Sequence, residues 1–188
     1  RADAGGEAAR QAAREALAVK QSEFDSLGLV LGYSYGSSPL VVPDGLPVPA
    51  EDPVSYVPSA SPGSLLPHAW LDATTSLYDL LGTGFTLLVD RDSLGGAAAG
   101  QAYAAAQAAA AVHGIPLAVV DVGPDQHETP MTTHWQATAV LVHPDQHVAW
   151  RGTDPAAAAA AIGVAAGWPL ATPSEDPDRR SRVRAVLP

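Results

Sequence analysis

The stretch Phe85-Thr86-Leu87-Leu88-Val89-Asp90, then an alanine-rich run over about 94–112, then Ile115 to Val122, decides the fold. The first piece is a short apolar run closed by an acidic residue. A run of that length bounded by turn residues reads as a strand. The second piece is too long for a strand, and alanine is the strongest helix former. Gly114 ends it. The third piece is apolar again, with Pro116 near its start, where a strand tolerates proline. Strand, helix and strand in this order build a parallel pair with a right-handed crossover.

Working outward, His68-Ala69-Trp70-Leu71 reads as a short strand, and residues 75–81 as a short helix stopped by Gly82. Beyond Val122, residues 123–136 are polar and irregular, with room for one helical turn. Two strands follow, 138–143 and 147–151. Pro144-Asp145-Gln146 joins them, with Pro and Asp where a tight turn favours them. Asp154 then caps a helix of alanines through about 166, ended by Gly167. The order over 64–166 is β-α-β-α-β-(α)-β-β-α. The expected fold class is therefore α/β, a thioredoxin-like three-layer fold around a central mixed sheet.

The N-terminal part has a different character. Residues 4–25 read as a helix with a thin apolar face of Ala8, Ala9, Ala12, Ala13, Ala16, Leu17 and Phe24. Such a helix is marginal alone and leans on something else. Leu27, Leu29, Leu31, Tyr33 and Tyr35 alternate, which predicts a strand over 27–35. Residues 36–63 then hold Pro39, Pro43, Pro47, Pro49, Pro53, Pro58 and Pro62. Proline at that density excludes a helix or a central strand. A stretch this long is commonly a linker or an arm laid across a surface. The expected division is a helix and strand over 1–36, a proline-rich arm over 37–63, the α/β domain over 64–166 and a flexible tail over 167–188.

Composition sets the limits. The 188 residues include 47% apolar ones, enough for one domain with a core. The net charge of −10 repels phosphate backbones, so nucleic acid is not an expected partner. Four of the nine arginines, Arg179, Arg180, Arg182 and Arg184, cluster in the tail and read as a solvated basic segment. No apolar run approaches the roughly 20 residues of a membrane span, and no signal peptide is visible. A cytoplasmic location is expected. The chain opens on Arg1, not Met, which points to a piece of a longer polypeptide. It holds no cysteine, so disulfide chemistry and thiolate nucleophiles are absent.

Several motifs bear on chemistry. Gly32-Tyr33-Ser34-Tyr35-Gly36 matches the nucleophile-elbow pattern, with Asp121 and His147 as conceivable partners of Ser34. The elbow needs a helix straight after the serine, and here Ser37-Ser38-Pro39 opens the arm instead. Thioredoxins carry a redox cysteine pair between their second strand and second helix. This chain has Asp90-Arg91-Asp92-Ser93-Leu94 there. Gly95-Gly96-Ala97-Ala98-Ala99-Gly100 is half a phosphate loop, followed by Gln101 and Ala102 where Lys and Ser or Thr belong. Gly82-Thr83-Gly84 precedes a strand and reads as a turn. His143, Asp145 and His147 flank the hairpin turn, and His127 and His134 lie in the irregular stretch, but no full ligand set is evident. Arg151 closes the last strand and reads as a solvated edge charge, or as a salt bridge to a partner domain. Alternation would put Val148 and Trp150 on the face opposite His147, Ala149 and Arg151.

Four blocks, in order, carry a resemblance. They are residues 24–35 (Phe24-Asp25-Ser26-Leu27-Gly28-Leu29-Val30-Leu31-Gly32-Tyr33-Ser34-Tyr35), Pro67-His68-Ala69-Trp70-Leu71, Gly82-Thr83-Gly84-Phe85-Thr86-Leu87-Leu88, and residues 143–152 from His143 to Gly152. Together they resemble the C-terminal part of FAD-dependent aromatic-ring hydroxylases of the phenol and polyketide hydroxylase type. The resemblance covers about residues 20–166. It implies a parent flavin monooxygenase that uses FAD and NAD(P)H, whose flavin-binding motifs lie outside this chain. What carries over is a thioredoxin-like domain without redox cysteines. It implies packing against the FAD and substrate domains of the same polypeptide, or against a second subunit of a homodimer. On this basis no catalytic, cofactor-binding or metal residue is assigned, and the chain alone is expected to be inactive. A free-standing, redox-inactive thioredoxin-like interaction module is the alternative.

Overall fold

The structure, a computed structural model, describes residues 4–22, 25–122 and 131–168. Its elements in chain order are α1 (Ala4–Ser22), α2 (Leu27–Leu31), a 3-10 turn (Leu77–Leu80), β1 (Phe85–Val89), α3 (Arg91–Leu94), α4 (Gly96–Val112), β2 (Leu117–Asp121), α5 (Met131–Trp135), β3 (Ala139–Val142), β4 (Val148–Gly152) and α6 (Pro155–Ala165). The strands form one mixed sheet in the order β2-β1-β3-β4. β1 and β2 are parallel, with Leu87 opposite Val119. β3 runs antiparallel to both β1 and β4. This is the sheet that the run of 85–122 and the hairpin at 138–151 predict.

Each face of the sheet carries its own core. On one face Leu87, Val89, Leu141 and Trp150 meet the buried alanines of α4 and α6, among them Ala99, Ala106, Ala158 and Ala161. Alanine stems let the two helices lie close together on the sheet. On the other face Leu88, Val140, Val142 and Val148 pack with Leu66, Leu71, Leu77 and Trp135. That second layer is mostly irregular chain from 60 to 81. Leu66, Leu77 and Trp135 are fully buried there. A large apolar side chain buried in this way stabilises by about 1.5–3 kcal/mol.

Two expected strands are not formed. Residues 27–35 begin as the helix α2, not as a strand. The alternation of leucines is real, but Gly28 is the residue turned inward. A Cβ there would lie 1.6 Å from the Asp52 carbonyl oxygen. Residues 68–71 do not join the sheet. Trp70 makes a single antiparallel bridge to Ser76, and the Leu71 amide bonds the Thr75 carbonyl at 2.8 Å. Asp72 closes this fold-back by accepting from the Thr74 and Thr75 amides. Those bonds hold its carboxyl down to about 2. The expected first strand of the β-α-β-α-β-(α)-β-β-α order is thus a local turn.

The face assignment along β4 also changes. Leu141 pairs with Trp150 but Val142 pairs with Val148, so Ala149 is an extra residue, a β-bulge. The bulge sends Val148 and Trp150 to opposite faces.

Candidate functional site

The outer edge of β4 is closed by the arm. Gly63 donates to the Val148 carbonyl at 2.7 Å, Val148 to Ser64 at 2.9 Å, and Leu66 to Gln146 at 3.0 Å. Val42 donates to the bulge carbonyl of Ala149 at 2.9 Å. An open edge would be a template for another strand, and these bonds remove it. Gly63 is required here. It has φ +93°, and a Cβ would approach the Gly36 nitrogen to 2.3 Å.

Arg151 fastens the arm a second time. Its Nε donates to Asp44 Oδ2 at 2.5 Å, and Nη1 donates to the Trp135 carbonyl at 2.9 Å. The side chain is 3% exposed and that of Asp44 13%. The expectation of a solvated edge charge is therefore corrected, and the salt-bridge partner is the chain's own arm.

Tyr33, Tyr35 and His147 form a third contact at the same edge. Their ring centroids lie 5.1 Å (Tyr33 to His147), 4.6 Å (Tyr35 to His147) and 5.4 Å (Tyr33 to Tyr35) apart. Hydrogen bonding to Tyr33 leads the causes that raise the Tyr35 phenol above its usual value. His147 Nδ1 lies 3.1 Å from the Asp145 carbonyl, so Nδ1 carries the hydrogen. His143 Nε2 lies 3.3 Å from the Leu40 carbonyl and anchors the arm beyond the hairpin.

The hydrolase constellation does not assemble. Asp121 ends β2, at the sheet edge opposite β4, and pairs with Arg91 at 3.3 Å. Ser34 Oγ accepts from the Gly36 amide at 3.2 Å. The Asp90–Leu94 segment is a cap. Asp90 is buried, and its carboxylate accepts from the Ser93 amide at 3.1 Å and the Ser93 hydroxyl at 2.9 Å. That cap is worth about 1 kcal/mol. No group of three His, Asp or Glu residues among the described ones could hold a metal ion. His127 and the arginines at 179–184 lie outside the described residues.

A cleft lined by Leu31, Ser34, Val48, Asp52, Tyr56 and Val57 separates α2 from the arm. Its volume of about 30 Å³ suits one water and does not fit a flavin. What α2 and the arm do present is apolar surface. Leu27 is 60% exposed, Leu29 63% and Val30 58%, with Val54 and Val57 exposed beside them on the arm. The alternation at 27–35 caught the apolar residues but not their direction. A helix of five residues gives too short a pattern to betray it.

The model of the C-terminal region of aromatic-ring hydroxylases matches residues 59–169. The chain belongs to that family. It is 37% identical over 157 residues to the phenol 2-monooxygenase of Pseudomonas sp. (strain EST1001), covering 76% of this chain and 24% of that protein. It is 36% identical over 140 residues to the aklavinone 12-hydroxylase RdmE of Streptomyces purpurascens, covering 70% and 24%. Among solved structures, the flavin-dependent monooxygenase PieE in complex with FAD and substrate aligns with TM-score 0.63 at 32% identity, covering 82% of this chain and 28% of PieE. The rebeccamycin biosynthetic enzyme RebC with reduced flavin aligns with TM-score 0.62 at 32% identity, over 87% and 29%. The chain thus spans about a quarter of the length of these hydroxylase relatives. The family match includes the end of the arm, the whole sheet and α6. It takes in the Arg151 anchor on β4 but begins after Asp44.

Proposed function

We propose that this chain is the thioredoxin-like accessory domain of an FAD-dependent, NAD(P)H-using aromatic-ring hydroxylase, and that it acts as a scaffold for the FAD and substrate domains of the same polypeptide. The observation that carries this is the family match over 59–169 in a chain spanning a quarter of its hydroxylase relatives. The sheet order β2-β1-β3-β4, with α4 and α6 on one face, supports the thioredoxin-like assignment. The Asp90-to-Ser93 cap occupies the position of a redox pair, in a chain with no cysteine. A fold of this kind is shared across unrelated chemistries, so the site and not the fold decides function. Here the conspicuous device is structural, an arm fastened to a sheet edge.

When bound, FAD supplies the oxygen chemistry of such a hydroxylase. We assign it to the part of the polypeptide outside this chain, because the family match is to the C-terminal region of such hydroxylases and the chain spans about a quarter of their length. The test is spectroscopic. The purified chain should stay colourless after incubation with FAD and consume no NADPH with a phenol present. The complete polypeptide should be yellow and consume NAD(P)H. Stoichiometric FAD binding by the 188-residue chain would overturn the proposal.

A further inference from the structure

α2 is built inside out. Its glycine faces the protein, with Gly28 buried against the backbone of Asp52 and Ser55, while Leu27, Leu29 and Val30 face solvent. The Leu29 amide bonds the Pro53 carbonyl at 3.1 Å, so the arm fixes α2 in this orientation. Val54 extends the apolar surface from the arm side. A helix folded for this chain alone would turn its leucines inward. Clustered exposed side chains of this kind mark a surface that another body covers.

We infer that the outer face of α2, formed by Leu27, Leu29, Val30 and the flanking Val54, is the seat for the preceding domains of the same polypeptide. This rests on the reading above that such domains exist. The length of the relatives supports that occupant, because three quarters of it lies outside the matched region, which is their C-terminal part. The preceding chain would enter through α1, directly before this patch. A tether that short keeps its partner at roughly millimolar effective concentration. Acidic residues accompany the patch, with Asp25 next to it in sequence and Glu51 and Asp52 on the arm segment against Gly28, all exposed. The complementary surface is therefore an apolar hollow rimmed by Arg or Lys. A second copy of this chain fits less well. A two-fold contact would set the same carboxylates against one another, on a chain of net charge −10.

Hydroxyl-radical footprinting of the complete polypeptide and of the 188-residue chain tests this. Oxidation of Leu27, Leu29 and Val30 should be slower in the complete protein by about fivefold or more, as in a packed interface core. Val112, exposed on α4, serves as the reference and should label equally in both. The exposed double variant L29D/V30D should lose the protection and speed tryptic cleavage in α1. Equal labelling of α2 in the two proteins overturns the inference. So does protection that vanishes on dilution as a dimer dissociates, which would assign the patch to a second copy. A complete polypeptide that binds no FAD but protects α2 sinks the proposed function and leaves this inference standing.

Discussion

The Arg151–Asp44 pair concentrates most of what one residue can do here. Both partners are nearly buried, and their positions are 107 residues apart in sequence. Replacing Asp44 with Ala leaves a guanidinium whose remaining hydrogen-bond partner among the described residues is the Trp135 carbonyl. An uncompensated buried charge costs about 3–5 kcal/mol. Urea denaturation of Asp44→Ala should show a loss of that size, and adding Arg151→Met should restore most of it. A lone Asp44→Ala within about 0.5 kcal/mol of the parent would show that the pair is solvated. No sequence signal announced this partner, because an ion pair across such a separation leaves no periodicity. Arg151 itself was visible at the end of an apolar strand, but the bulge at Ala149 hid which face it joins. His143 makes a second prediction at this scale. Burial lowers its ring below the ordinary 6.5, against the opposing Leu40 carbonyl. The unfolded chain then binds the proton more readily than the folded one. Stability from this group is therefore complete above about pH 6.5 and declines as pH falls towards the folded value. Denaturation midpoints at pH 7.5 and pH 5.5, estimates that bracket the free histidine range, should differ less in His143→Gln than in the parent. An equal difference would remove His143 from the pH response.

Among the elements, legibility followed length and punctuation. β1, β2, β3, β4, α4 and α6 were readable because each is an uninterrupted run closed by Gly, Pro or Asp. α2 was not, because five residues are too few to tell a helical period from alternation. The strand expected at 68–71 lost to turn chemistry, with Asp72 collecting the Thr74 and Thr75 amides. The alanine helices carry their own prediction. Ala106 is 1% exposed and faces the sheet, whereas Ala105 is exposed on the same helix. Ala106→Leu should destabilise by about 1–3 kcal/mol through overpacking, and Ala105→Leu by less than about 0.5 kcal/mol. Chemical denaturation of the two variants compares them directly. Equal effects would mean that α4 and α6 are not packed as tightly as their alanines indicate.

For the whole molecule, the question is where the folding unit begins. Prolines suggested an arm separate from a domain starting at 64. In the structure the arm lies along the β4 edge, where Val41 and Ala60 are buried and Asp44 neutralises Arg151. α1 contrasts with this, being solvent-exposed from Glu7 to Lys20. Two truncations separate these roles. Removing residues 1–25 takes away a helix with no buried side chain among its described ones, and thermal unfolding should stay cooperative with little change in midpoint. Removing residues 1–63 strips the Asp44 carboxylate, the Val42 bond to the bulge, and the Gly63 bond to β4. That product keeps every strand of the sheet, and Ser64 still bonds Val148 and Leu66 still bonds Gln146, but Arg151 loses its carboxylate and the edge at Val148 and Ala149 loses the Gly63 and Val42 amides. Each consequence is of the kind that unfolds or aggregates a domain of ordinary, marginal stability. It should show no cooperative transition and should associate in sedimentation. If the shorter piece instead melts like the parent, the arm is a passenger, and the scaffold role has to rest on the sheet and helices alone.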